Sequence, residues 1–553
     1  MKFDRRQMLA LLGVGATTAS CASAETNLPV PAFMHGVASG DPLSDRVVLW
    51  TAISGPQIAG RTLTWEVAET PDFLRIARKG TARTGPAGTL KVDVTGLGPG
   101  RDYWYRFRAA ANAISPTGRT RTLADGPIAD VVLAVASCAL WAGGFYNAYE
   151  AIAALPRVDA VVHLGDYIYE YGPEGYGGTI GQKIGRVVDP PHEILTLDDY
   201  RRRHAQTKSD PKLQAAHAKA PWIVVWDDHE TANDAWAGGA ENHTPAAEGG
   251  WNERKANALR AWYEWMPIRE PQGGRAFEAI NRSFHFGDLA SLIMVETRLS
   301  ARAHQIDYST DLLVDGKPSP QTFGAKLMDP SRGMMGERQE AWLADELAGS
   351  VRSGRRWQVL GNQVVMARVA MPAVRSAMTD QAYGALIAGL PDDIKGPVMQ
   401  AEGIAALGLP YNLDAWDGYP VARERFYAAC TAAGATPIVL SGDSHAFWAN
   451  ELSDASGRRV GAEFGATSVT SPGFVDVLTG VPINEGFTQR NNEVVYTDHG
   501  AKGFVLLTLT REAATAEMVA VSTVYAPQYA TRTLKRFRVE PAAGGMGALT
   551  EIS

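Results

Sequence analysis

Six largely apolar, mostly β-branched runs punctuate residues 131–440: "VVLAVA", "DAVVHL", "WIVV", "LASLIMV", "WQVL" and "TPIVL". A strand with one face in water alternates apolar and polar residues, whereas a continuous apolar run marks a strand buried on both faces, as in a sheet covered by helices. Helical stretches such as "GFYNAYEAIAAL" lie between the runs. The fold class is therefore α/β. In such sheets ligands bind just beyond the carboxyl ends of the strands. Here those ends carry Ser137-Cys138, "GDYIYEY", "WDDHETAND", "ETR", "GNQ" and "SGDSHAFW".

Carboxylates, imidazole, a phenol and a thiol at converging tips form a metal-ligand set. The oxygen donors suit Ca²⁺ or Mg²⁺, and the thiolate and phenolate suit a transition metal. Taken alone, His445 reads as a core or surface histidine, Tyr169 as a packed aromatic, Cys138 as a small core residue and Asp166 as a turn former. Their joint placement after buried strands favours function, because unpaired acids near a sheet core are costly unless they meet cations. Asp166 and Tyr169, three residues apart on one loop, can reach the same ion. A carboxylate can also bridge two ions, and a two-metal site clamps the attacking and leaving oxygens of a phosphoryl transfer. The reaction class is hydrolysis of a phosphate ester.

Residues 31–125 read differently. "RVVLWTAI", "TLTWEVA", "TLKVDVTGL" and "DYWYRFRAA" alternate between Gly, Pro and Asp turns, the pattern of an antiparallel β-sandwich. The domain has no catalytic cluster of its own, and "TLADGP" at 122–127 marks the junction with a catalytic domain over 126–525. The remaining 526–553 ends in small residues and reads as a C-terminal tail without a strong helix after Val524.

The first 24 residues read as an export signal, with Arg5-Arg6 of the twin-arginine kind and a cleavage site at Ala22-Ser23-Ala24. A periplasmic or secreted protein, handed to the twin-arginine machinery with its metal already inserted, is expected. Lipid attachment at Cys21 is the lesser alternative, since Thr18 spoils the lipobox. No later apolar segment is long enough to span a bilayer. With 53 basic and 60 acidic residues the net charge is -7, which disfavours specific nucleic-acid binding. Cys138 and Cys430 alone remain after the signal, either as one bridge or as two buried thiols.

Read in order, "GVASGDPLSDRVVLWTAI", "ASC", "GDYIYEY", "WDDHETAND", "VLGNQVVMA", "WDGYP" and "SGDSHAFW" resemble the PhoD-like alkaline phosphatases and phosphodiesterases, over about residues 31–510. The resemblance implies a small β domain followed by a four-layer α/β/β/α metallophosphoesterase sandwich. It also implies twin-arginine export and a centre holding Fe³⁺ with Ca²⁺, which acts on small phosphomonoesters, phosphodiesters or both. By similarity Cys138, Asp166, Tyr169 and His445 hold iron, with Asp166 shared. Asp228 and Asp443 face the second ion, with Asp227 and Asn233 as further candidates. His229 falls where a histidine approaches the leaving oxygen, and Arg298 would bind phosphoryl oxygens. The chain departs from the family in writing Glu296 where Asp is usual, which puts a ligand role at 296 in doubt. Residues 377–416 look like an insertion, either a lid over the site or a packed helical hairpin. The alternatives in function are a phosphodiesterase acting on lipid headgroups and a metal-stabilised binding protein without catalysis.

Overall fold

The computed structural model describes residues 32–110, 113–373, 375, 378–390, 392–477, 481–542 and 545–553. The export signal and Cys21 lie outside these residues.

All six apolar runs form buried parallel strands. Asp130–Ala136, Ala160–His163 and Trp222–Val224 lie side by side in a ten-stranded sheet. Ala290–Met294, Trp357–Gly361 and Pro437–Ser441 do the same in a seven-stranded sheet. Both faces of each strand are used. Leu292 and Met294 enter the core shared with the first sheet, while Ile293 and Val295 enter the core beneath the outer helices. Each such buried aliphatic side chain contributes ~1.5–3 kcal/mol. Helices Asn147–Ala154, Pro211–Lys219 and Trp251–Trp265 join the first core. Glu337–Arg352 and Pro420–Ala433 cover the second sheet, the latter starting on Pro420 and stopping at Gly434 with φ 64°. The result is the expected four layers.

The N-terminal strands pack as two sheets, but one of them is not separate from the catalytic region. Val37–Gly40, Arg46–Ala52 and Thr89–Thr95 extend the ten-stranded sheet, joined through Gly40 beside Trp222. Five further strands, among them Thr62–Ala68 and Asp102–Ala110, form an antiparallel sheet over it. Val47, Leu49 and Val94 meet Leu63, Val67, Tyr105 and Phe107 between the two. Alternation identifies a half-buried strand but says nothing of its partner, so the junction near 125 looks sharper in the sequence than it is in space.

The segment 526–553 corrects the reading of a tail. Thr531–Val539 pairs with Ala514–Val521, and Thr550–Ile552 pairs with Thr531–Val539 at the sheet edge. Its "TRTLKRFRV" alternates cations with Leu534, Phe537 and Val539, so its mean hydropathy is low although its inner face is apolar. Within 377–416 lie two helices, Asp380–Gly389 and Asp392–Ala406, whose Leu386, Ile387 and Val398 rest on the second core. Cys138 and Cys430 are both buried and free.

Candidate metal centre

The strand tips of both sheets converge. The first sheet delivers Cys138, Asp166, Tyr169 and the Asp227–His229 run; the second delivers Arg298, Asp443 and His445. Three groups of ligand atoms result, each with all atoms within 4.8 Å of one another: Cys138, Asp166 and His445; Asp166, Asp228 and His229; Asp227, Asp228 and Asp443. Asp166 therefore belongs to two groups, and so does Asp228. Tyr169 joins the first through its hydroxyl, 3.1 Å from Asp166 Oδ2 and 3.4 Å from His445 Nε2, and it also accepts from Ser471 Oγ at 2.7 Å.

The loops holding these groups are strained. Cys138, Asp166, Asp234, Asp443 and His445 have φ between 51° and 61°, five of the nine non-glycine residues with positive φ among the described residues. Such backbone costs about 1–3 kcal/mol per residue and persists only where the surroundings over-determine it. Cys138 N–H donates to Gly165 O and Ala139 N–H to Asp166 O, which ties the first two tips together. Gly165, at φ 114°, lies so close to the next tip that a Cβ would stand 2.4 Å from Asp227 N. Only glycine fits there.

Three buried glutamates, which the sequence reading did not single out as holders of these loops, fix the rest. Glu230 accepts the N–H groups of Asp166 (3.0 Å), Tyr167 (2.5 Å) and Asp227 (2.7 Å), binding two ligand loops through one carboxylate. Glu170 accepts from His229 Nδ1 (2.8 Å), Asn233 N (2.7 Å) and Asn242 Nδ2 (2.9 Å). Glu296 accepts from Trp226 Nε1 and from the N–H groups of Arg298, Leu299 and Ser300, so the longer acid at this position is a loop tie. Asp414, inside the segment read as an insertion, accepts from Arg298 Nη1 at 2.6 Å and also pairs with Arg302.

Arg298 is fully buried among acids. Its Nε donates to Asp227 Oδ1 (2.5 Å), and its Nη2 lies 3.8 Å from Asp228 and 3.5 Å from Asp443 without a hydrogen-bond partner. Asn233 turns its amide to Glu241, 3.1 Å away. Asn362 of "GNQ" accepts from Trp416 Nε1 and serves packing.

The electrostatics call for cations. Burial, reinforced by neighbouring carboxylates, holds the Asp166 and Asp443 carboxyls well above the usual carboxylate range. Burial pushes Asp227 up to about 6 despite Arg298. Burial opposes charge on Asp228 too, but Arg298 and His229 outweigh it and hold this carboxyl low. Burial and Asp166 together raise the Cys138 thiol and the Tyr169 phenol. Asp166 Oδ1, Asp227 Oδ2 and Asp228 Oδ1 are buried without a partner. Orphaned carboxylate oxygens beside a thiol, a phenol and an imidazole fit bound metal ions. The His445 Nδ1–H donates to Pro472 O at 2.7 Å, which leaves Nε2 bare on the side of Tyr169 and Asp166.

Residues 133–518 match the PhoD-like phosphatase family model, and residues 20–124 match the model of the PhoD-like phosphatase N-terminal domain. The chain belongs to the PhoD-like phosphatases. It is 36% identical over 502 residues to alkaline phosphatase D of Bacillus subtilis (strain 168), a match spanning 85% of this chain and 77% of the relative. A solved structure of PhoD superposes with a TM-score of 0.77 at 32% identity, covering 95% of this chain and 93% of that one. Membership places the chain among phosphoester hydrolases with a metal-dependent PhoD-like centre, and the α/β architecture agrees with the solved relative.

Proposed function

We propose that the protein is an exported alkaline phosphatase that hydrolyses small phosphate esters, monoesters first and diesters in addition, at a centre of ferric iron and calcium. The observation that carries this reading is the position of Asp166, whose carboxylate lies with Cys138 and His445 on one side and with Asp228 on the other, so that it could serve two neighbouring ions. Cys138, Asp166, Tyr169 and His445 would hold iron. Asp166, Asp228, Asp443 and Asp227 would hold calcium, with Asn233 near enough in sequence to serve through its loop. When bound, the ions neutralise phosphoryl oxygens and lower the pKa of water.

The protein's own groups do the rest. With Nδ1 held by Glu170, His229 has Nε2 free to face the Asp166–Asp228 side and to give a proton to the leaving oxygen. Burial works against its charged form, but Asp228, Glu170 and Asp166 outweigh burial and raise its pKa. Arg298 supplies fixed positive charge, and its Nη2 is the guanidinium nitrogen left for a phosphoryl oxygen. The twin-arginine signal delivers the loaded protein to the periplasm or the exterior, with Cys21 cleaved away.

A paired assay tests this on mature protein, using an aryl phosphomonoester and the matching bis-aryl diester with calcium supplied. Turnover should favour the monoester and vanish with chelator, together with a visible charge-transfer band from iron on Tyr169 and Cys138. A dominant diester rate replaces the phosphatase reading with a phosphodiesterase one. No turnover of either ester by metal-loaded protein ends the proposal.

A further inference from the structure

Beside the metal-ligand groups the surroundings change from acidic to aromatic. Tyr171 and Tyr176 follow Asp166 on the same long segment, and their ring centroids stand 6.1 Å apart at 62°, making a corner. Tyr171 lies 5.5 Å from the ring of His229, and Tyr176 lies 6.1 Å from the ring of His445 at 16° from parallel. Tyr169 closes the space behind, 4.1 Å from His229 and 6.2 Å from Tyr176. The two outer rings thus touch the two histidines of the centre, one each.

Exposure separates these rings from core aromatics. Tyr169 is 2% exposed, whereas Tyr176 is 36% exposed and Tyr171 is half-buried. The plane of Tyr176 is fixed, since its hydroxyl donates to Pro472 O and lies 3.1 Å from His445 Nδ1. A fixed ring loses little rotamer freedom when a ligand covers it, so the stacking energy is kept as affinity. The position is also the right one for an ester arm. If His229 protonates the leaving oxygen, the carbon chain on that oxygen must extend past His229, and of the two rings beside it Tyr169 is buried while Tyr171, 5.5 Å away, is accessible.

We infer that Tyr171 and Tyr176 form the wall on which the organic arm of the substrate packs, and that this arm is a flat aryl or heteroaromatic group. The inference rests on the phosphoesterase reading and adds its substrate class. A planar π-system can lie flat on such a ring face and gain stacking energy over its whole area.

Phosphonates test this without the chemistry of a leaving group. Metal-loaded full-length mature protein is titrated calorimetrically with phenylphosphonate and with methylphosphonate. Phenylphosphonate should bind about tenfold more tightly or better, the scale of one aromatic stack. Tyr171→Leu should reduce that preference to about threefold or less, and Tyr171→Phe, which keeps the ring, should retain it, with metal content equal in all three proteins. Equal binding of the two phosphonates by the unsubstituted protein overturns the wall, as does an unchanged preference in Tyr171→Leu. These results leave ester turnover intact and so spare the phosphoesterase reading. Failure of both phosphonates to bind, alongside absent turnover, overturns both.

Discussion

Glu170 and His229 illustrate how a single contact sets a residue's chemistry. A carboxylate at 2.8 Å fixes the imidazole's tautomer and orientation, and it favours the protonated ring that a general acid needs. Glu170→Gln keeps the volume and loses the charge. The expected result is a kcat about 10²-fold lower for an alkyl ester with a poor leaving group, a smaller loss for an aryl ester, and unchanged iron content. Equal losses on both esters would assign Glu170 to packing instead. At this scale the sequence was readable where residue type declares its chemistry: Cys138, Asp166, Tyr169, Asp228, Asp443 and His445 do meet. Glu170 and Glu230 stood within the same quoted motifs, yet nothing in a string of letters distinguishes an acid that binds a metal from one that accepts three N–H groups. Asp414 was harder still, since 116 residues separate it from Arg298 and only the fold makes them partners.

Elements built from buried apolar runs announced themselves, because burial on both faces leaves no polar position to confuse the period. The strand Thr531–Val539 did not, since Arg532, Lys535, Arg536 and Arg538 interrupt its apolar residues. Its inner face nonetheless completes the pairing of Ala514–Val521 along eight residue pairs. A chain ending at Tyr525 should therefore behave as one with a stripped sheet edge. Thermal unfolding should begin about 10 °C lower or more, and soluble yield should fall, because an apolar strand with free N–H and C=O groups invites association. A true tail would leave both unchanged. The N-terminal strands teach the same lesson in reverse, for their alternation was plain while their membership in the catalytic sheet was not.

Across the whole molecule several histidines are held neutral by burial. His35 and His499 are lowered to about 4 and His204 to about 3, in each case chiefly by burial, with Lys208 adding to His35 and His204. An unfolded histidine titrates near 6.5, so between that value and the folded ones the unfolded chain binds more protons. Stability from these groups is complete above pH 6.5 and is lost as pH falls toward 3, at ~1.4 kcal/mol per pH unit for each proton taken up. Melting temperature should hold from pH 8 to 6.5 and then drop with steepening slope toward pH 4.5; a flat profile across that range would mean the histidines are hydrated. The overall class was legible because length, apolar runs and their polar ends agree with one another, while the sheet order required three dimensions. That order also has a consequence for synthesis. The central strand Asp130–Ala136 takes its antiparallel neighbour from Lys502–Thr510, near the other end of the chain. At ~5–20 residues per second, on the order of 20–70 s pass before the ribosome delivers that neighbour. Throughout that interval one edge of "VVLAVA" lacks its neighbour, so the ten-stranded sheet stays open until Lys502–Thr510 has been made.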